Sequence, residues 1–330
     1  MISIKNESTN PYFNLALEEY VLKHLDIDDS ILILWQNEPT VVVGRNQNTI
    51  EEINTKYVKD KDIHVVRRLS GGGAVYHDLG NLNFTFIVED TGDSVNNFEK
   101  FTKPVIKALK ELDIIAAFSG RNDITIEEKK FSGNAQYYYR NRLLHHGTIL
   151  FNSNLDVVQE ALKVKIDKIK SKGIKSVRSR VTNIYPYLKE KISVKDFKYL
   201  LLSFLFEQEN EEKKEYILTK KDLEGINELM KNRYLTWEWN YGESPNFDIQ
   251  KSKRYEGGNL DIRLKVQGGI ISDCKIFGDF FGRKEISELE SLLKDIKYEE
   301  ESIRQVLKKI DLSSYLHNIR EDNFIDCLFY

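Results

Sequence analysis

Three consecutive glycines, Gly71 to Gly73, restrict this chain more than any other feature of its sequence. Val65-Val66-Arg67-Arg68 leads into them through Leu69 and Ser70, and Ala74-Val75-Tyr76-His77 follows; both flanks have the β-branched and aromatic character of strands. The pattern predicts a loop between two extended segments, because a backbone without Cβ atoms reaches dihedrals closed to other residues and lets a ligand approach closely. N–H groups exposed in such a loop suit a phosphate, and neighbouring guanidinium groups add charge-assisted hydrogen bonds. The competing reading is a plain glycine turn. The spacing is neither that of a P-loop nor that of a dinucleotide fingerprint.

The rest of the chain alternates helical and extended stretches. Asn10-Pro11 opens a helix to about residue 24, with Leu15, Ala16, Leu17, Tyr20 and Val21 near helical spacing and Asn at the cap. Ile31 to Trp35 and Thr40 to Val43 read as paired strands across the Asn37-Glu38-Pro39 turn, and Asn83 to Val88 as another. Phe98 to Leu112 is a predicted helix, Ile124 to Ile126 a short strand before a turn at Glu127 to Lys130, and Leu143 to Phe151 a strand. Helices are expected to dominate from Asp156 to Met230. Beyond Ser244-Pro245-Asn246, strands over Tyr255 to Ile276 and helices over Arg283 to Ile296 and Glu300 to Ile310 make a small module, so the expected domains are 1–246 and 247–330.

With 330 residues, 41% of them hydrophobic, the chain can bury two cores. A net charge of −3 leaves no basic footprint for nucleic acid. The opening residues lack a signal-peptide pattern and no apolar run is long enough to span a membrane. Cys274 and Cys327 fit neither a disulfide framework nor zinc spacing. The expectation is a soluble cytoplasmic protein.

Several residues offer chemistry, each with an ordinary alternative. Lys130, in Lys129-Lys130-Phe131-Ser132-Gly133-Asn134-Ala135, brings an ammonium group to a ligand or is surface decoration at a turn. Asn122-Asp123 holds a metal ion or a nucleobase amine, or forms a turn. His145-His146 stands at the start of a strand with no companion ligands for zinc, and its plain reading is a strand end with one histidine packed. His77-Asp78 lacks the surroundings of a hydrolase triad. Trp35 lines a pocket for an apolar chain or belongs to the core. Taken singly, these residues lead to a phosphate-binding α/β enzyme and stop there.

Taken together, ordered segments resemble lipoate-protein ligases. They are Asn14-Leu15-Ala16-Leu17-Glu18-Glu19, Val43-Gly44-Arg45-Asn46-Gln47-Asn48, the run from Arg67 to Asn81, Ser119-Gly120-Arg121-Asn122-Asp123, Lys130 to Ala135, His145-His146-Gly147-Thr148 and Lys172 to Asn183. The resemblance implies an α+β fold, a mixed sheet flanked by helices, shared with biotin ligases and followed by a small C-terminal α/β accessory domain. It implies that lipoic acid is activated with ATP to lipoyl-AMP and passed to a lysine of a lipoyl-domain acceptor, such as a 2-oxoacid dehydrogenase E2 subunit or the glycine cleavage H protein. By motif, Arg68, Gly73, Ala74, Val75, Tyr76, Asn122 and Asp123 would face the nucleotide. Glu18, Trp35, Ser70, His77 and His146 would lie about the lipoyl group, and Lys130 would touch both the carboxylate and the α-phosphate. Mg²⁺ would travel on the phosphates, with Asp123 as a further ligand.

Three rivals stand against this, of which a biotin ligase is set aside because the loop reads Arg67-Arg68-Leu69-Ser70-Gly71-Gly72-Gly73 rather than that family's Gly-Arg-Gly-Arg pattern. An ATP-independent lipoyl or octanoyl transferase of the thioester kind needs a cysteine in the catalytic domain, and both cysteines lie beyond residue 246. A noncatalytic acyl- or nucleotide-binding subunit would have no call for the intact Lys130 segment.

Overall fold

The computed structural model describes residues 1–90, 92, 94, 96–162, 180–208, 214–241, 248–267 and 269–329, without the side chains of 50, 51 and 208. The chain forms two compact units: Met1–Val42, Ile50–Arg67 and Val75–Asn240 make one, and Val43–Thr49, Arg68–Ala74 and Tyr241–Tyr330 the other. The expected boundary at 246, with Pro245 and Asn246, lies outside the described residues, as do Lys172 to Ser179 of the last matching segment.

The first unit is built on an eight-stranded mixed sheet of order β11-β1-β2-β6-β10-β9-β8-β7. Its strands are β1 (Ile2–Ile4), β2 (Ile31–Trp35), β6 (Asn81–Glu89), β7 (Ala117–Ser119), β8 (Asp123–Ile126), β9 (Lys129–Tyr139), β10 (Arg142–Leu150) and β11 (Lys214–Tyr216). β1 runs parallel to β2 and β11, while β2, β6, β10, β9, β8 and β7 pair antiparallel in turn. A smaller sheet of order β4-β3-β5 holds β3 (Thr40–Val43), β4 (His64–Arg67) and β5 (Val75–His77).

Alternation along the strands sorts the large sheet into two faces. Leu32, Leu34, Leu82, Phe84, Phe86, Leu143 and Ile149 pack against α4 (Phe98–Lys110) and α6 (Val194–Gln208). Ile31, Ile33, Trp35, Ile87 and Leu144 pack in the core of α1 (Pro11–Lys23), with Ile226 of α7 (Lys220–Leu229) and Tyr234. Because β2 is covered on both sides, its sequence is apolar throughout.

Helix α1 begins where predicted: the Asn10 side chain accepts from the N–H groups of Tyr12 and Phe13, and Pro11 stands in the first turn. Glu19 is buried in it and pairs with Arg233 at 2.6 Å, the Tyr234 hydroxyl at 2.8 Å and Lys23 at 2.8 Å.

Strand β9 departs from expectation. The sequence puts Lys130 at a turn, yet the turn takes only Glu127 and Glu128, both at positive φ, and Lys129–Tyr139 runs on as an 11-residue strand. Its Ser, Gly, Asn and Gln residues have weak strand propensity, but β8 and β10 bond it on both edges, and that pairing overrides propensity. Likewise β11 interrupts the stretch between Asp156 and Met230 that was expected to be helical, because three residues there complete the edge beside β1.

The second unit contains an antiparallel meander of β12 (Ile249–Tyr255), β13 (Gly258–Gln267) and β14 (Ile270–Gly278), backed by helices over Ile286–Leu292, Glu300–Leu307 and Glu321–Phe329. Leu260, Ile262, Leu264, Cys274, Ile276, Leu289, Ile303 and Phe324 form its core. The two glycine-bearing segments belong to this unit: the Gly278 N–H donates to the Asn46 carbonyl at 2.6 Å, and Arg45 pairs with Glu285 at 2.6 Å.

Candidate active site

On the α1 face of the large sheet, beyond the apolar patch, polar side chains take over. Trp35 Nε1 donates to Thr85 Oγ1 at 2.8 Å, the Thr85 hydroxyl donates to the Glu18 carboxylate at 2.5 Å, and His146 Nδ1 lies 3.0 Å from the same carboxylate. Glu18 is 3% exposed, so these donors replace the water its charge has lost. Three of the residues assigned to the lipoyl pocket by resemblance therefore form one hydrogen-bonded chain. A fourth, His77, sits edge-on to Trp35 with ring centroids 6.0 Å apart. Its Nδ1 faces Asn37 Nδ2 at 3.1 Å, and Asn37 is held in turn by Asn14 at 2.9 Å.

The two adjacent histidines part company, as neighbours on a strand must. His145 turns to the α4 face, fully buried against Phe84, Phe98 and Phe101. Burial first, and then the neighbouring His146, push its pKa well below the usual range. A neutral ring suits its surroundings: Gln136 Nε2 donates to Nδ1 at 3.2 Å, and Nε2 faces Asn134 Oδ1 at 3.3 Å. His145 is thus the packed member of the pair, and His146 turns to the α1 face beside Glu18.

Lys130 is fixed by its backbone. It donates to the Arg180 carbonyl and accepts from the Thr182 N–H, both at 2.8 Å, so Arg180-Val181-Thr182, the end of the last matching segment, braces it from outside the strand. Its Nζ reaches Asp123 Oδ1 at 2.7 Å. A Cβ added at Gly133 would stand 2.8 Å from that Nζ, so the glycine clears the path of the ammonium group. Asn122 braces β8 against β9, its Nδ2 donating to the Asn134 carbonyl at 2.6 Å. On β5, burial and then the charge of Asp78 push the Tyr76 phenol up to about 12.

Arg68, Ser70, Gly73 and Ala74 lie in the second unit. There Arg68 Nε donates to Ser70 Oγ at 3.0 Å, and its Nη2 to the carbonyls of Gly71 at 2.7 Å and Gly73 at 2.8 Å. The guanidinium is thus held by its own loop, with Gly72 at φ +91° shaping the turn. A Cβ at Gly44 would collide with the Gly72 carbonyl and one at Gly71 with the Phe280 carbonyl, whereas Gly73 has open space around it. The neighbouring Arg67 serves the first unit instead, donating to the Trp239 carbonyl at 2.9 Å.

Two site-face residues escaped the sequence reading, Thr85 and Asn83. The signal was present in Asn81-Leu82-Asn83-Phe84-Thr85-Phe86, a strict polar and apolar alternation in which both sets prove buried. Among the described residues no group of three or more His, Cys, Asp or Glu could hold a metal ion, and no helix is long and apolar enough to cross a membrane. Cys274 and Cys327 are buried; burial and nearby carboxylates push the Cys274 thiol far up and that of Cys327 up to about 12.

Residues 10–206 match the family model of the lipoyl protein ligase A/B catalytic domain, and residues 244–328 match that of the bacterial lipoate protein ligase C-terminus. The lipoate-protein ligase LplJ of Bacillus subtilis is 52% identical over 331 aligned positions, which cover 100% of both chains. Among solved structures, P. falciparum LipL1 in complex with lipoate matches with a TM-score of 0.81 and 30% identity, over 99% of this chain and 97% of that one. A lipoate-protein ligase A bound with ATP matches with a TM-score of 0.65 and 28% identity, over 73% of this chain and 98% of that one.

Proposed function

Because the chain belongs to the lipoate-protein ligase family, we propose that Lys130 is the group on which its reaction turns. The protein is an ATP-dependent ligase that attaches lipoate to protein. The observation that carries the assignment of Lys130 is its setting. It is an ammonium group pinned to the sheet on both sides of its backbone, aimed along a glycine, with one carboxylate, Asp123, beside it.

Activation brings two anions together, the carboxylate of lipoate and the α-phosphate of ATP. A fixed cation between them lowers the barrier electrostatically and orients the attack. Lys130 would contact the carboxylate and the α-phosphate in turn, and would go on to hold the phosphate of lipoyl-AMP while an acceptor lysine attacks the acyl carbon. Trp35 and His77 would border the acyl chain, with Glu18 and His146 fixing that wall through Thr85. Ser70 completes the lipoate set by resemblance. Arg68, Gly73, Ala74, Val75 and Tyr76 would take the nucleotide, and Asn122 and Asp123 would lie near it.

Mg²⁺ fits as a passenger on the nucleotide. With no carboxylate cluster among the described residues, the phosphates would supply most of its ligands and Asp123 one more. Bound there it neutralises phosphate charge.

The thioester route has no suitable nucleophile, since both cysteines are buried with raised pKa values. Two unpaired thiols also suit the reducing cytoplasm. The acceptors we propose are lipoyl domains of 2-oxoacid dehydrogenase E2 subunits and the glycine cleavage H protein. Mass spectrometry of such a domain after incubation with the protein, lipoate, Mg²⁺ and ATP tests the reading. A lipoyl mass increment that requires ATP is expected; an increment without ATP, or neither increment nor lipoyl-AMP, overturns it.

A further inference from the structure

Strand β6 carries two buried amides that the reaction scheme above does not use. Asn81 and Asn83, at 0% and 1% exposure, share the site face with Thr85. Asn81 Nδ2 donates to Asn83 Oδ1 at 2.9 Å, and that bond leaves Asn83 Nδ2 buried with no hydrogen-bond partner. Native proteins rarely keep such a group unpaired, and one that persists beside a site points to a ligand atom that completes it.

The register shows where that atom would lie. Asn83 pairs with Trp35 of β2 on one side and with Thr148 of β10 on the other. Thr148 Oγ1 accepts from the N–H of Gly133 at 3.1 Å, Gly133 pairs with Asp123, and the Lys130 ammonium lies over Gly133. A single row across the sheet therefore runs from an indole through a free amide donor to a fixed cation. Asn83 and Gly133 are two strand spacings apart, about 10 Å between backbones. Between them stands the part-exposed Thr148 of β10, and a carboxyl group lying over it would be hydrogen-bonded from both ends.

We infer that Asn83 Nδ2 donates to the acyl carboxyl oxygen, opposite Lys130, and is the oxyanion donor of the transfer step; the inference rests on the ligase reading. As the acceptor amine forms its C–N bond, the carbonyl π pair moves onto the oxygen held by Asn83. When C=O re-forms, the bond from the acyl carbon to the phosphate oxygen breaks, AMP leaves with that electron pair, and the amine proton passes to water. A donor placed where charge develops serves this step more than it serves substrate binding.

The test compares two adenylate mimics on the full-length protein: an acyl sulfamoyl adenosine that keeps the carbonyl, and an alkyl ether analogue with a methylene in its place. Asn83→Ala is expected to bind the carbonyl mimic at least about 10-fold more weakly and the methylene mimic as the unsubstituted protein does. Single-turnover transfer from lipoyl-AMP should fall about 100-fold, the scale of losing one oxyanion donor. Asn83→Leu, which fills the volume without donating, should behave alike and serves if the alanine variant folds poorly. Equal weakening for both mimics would make Asn83 structural, and transfer within twofold of normal would also overturn the inference. Should the unsubstituted protein form no lipoyl-AMP and modify no lipoyl domain, the ligase reading fails and this inference falls with it.

Discussion

The carboxylate of Glu18 and the Nδ1 of His146 meet at 3.0 Å although 128 positions separate them. The contact joins the middle of α1 to β10 and passes through no other element, so a buried charge on the first helix depends on a histidine from half a domain away. Removing that acceptor takes a partner from both Thr85 and His146. Glu18→Ala is therefore expected to destabilise the first unit by about 1–3 kcal/mol, and Glu18→Gln, which keeps a carbonyl oxygen in place, by less. Urea denaturation midpoints check the order.

Lys130→Ala should abolish lipoate-dependent ATP–pyrophosphate exchange by at least about 100-fold, with circular dichroism and melting temperature close to normal. The side chain is about a third exposed and contributes little to the core. A folded variant with normal exchange would end the assignment.

Gly133→Ala places a methyl 2.8 Å from Lys130 Nζ and must push the ammonium aside. Exchange should drop about 10-fold or more with the melting temperature near normal, because small misplacements at a reacting centre are costly. Exchange at the normal rate would contradict the placement of Lys130.

His145 gives a pH dependence whose sign is set by its depressed pKa. The unfolded chain binds a proton below about pH 6.5 that the buried ring refuses, so stability is full above that pH and falls as the pH drops through it. The slope approaches about 1.4 kcal/mol per pH unit. His145→Gln, which cannot titrate, should flatten denaturation midpoints between pH 6.5 and 5 relative to the unsubstituted protein.

Neither cysteine is expected to react in the folded protein. Ellman's reagent should titrate no thiol under native conditions and two in guanidinium chloride, and Cys274→Ser with Cys327→Ser should leave lipoylation unchanged, since both thiols are buried and hard to ionise. Rapid native labelling that stops activity would revive a cysteine mechanism.

Local chemistry was legible wherever a residue and its immediate neighbours decide the outcome. Asn10-Pro11 caps α1 as read, the Ile31 to Trp35 run is a strand buried on both faces, and Gly72 takes the left-handed turn that a glycine loop announces. The ordered motifs pointed to the family that the full-length likeness bears out. By contrast Lys129–Tyr139 gave no strand signal, since its Ser, Gly, Asn and Gln residues are stabilised by bonds to β8 and β10 rather than by their own preference.

The sequence by itself therefore determined the family, the chemistry on offer and the elements whose pattern is local: one cap, one glycine turn, one wholly apolar strand. The resemblance names His146 and Lys130, and only the tertiary structure gives the reason, turning His145 to the α4 face and bracing Lys130 with Arg180 and Thr182. The tertiary structure also decided that the glycine loop belongs with the C-terminal module and that Asn83 stands in a row with Trp35 and Gly133. The physical reason is register: a period of two sends neighbours to opposite faces, and partners far away in sequence choose the face that becomes the site.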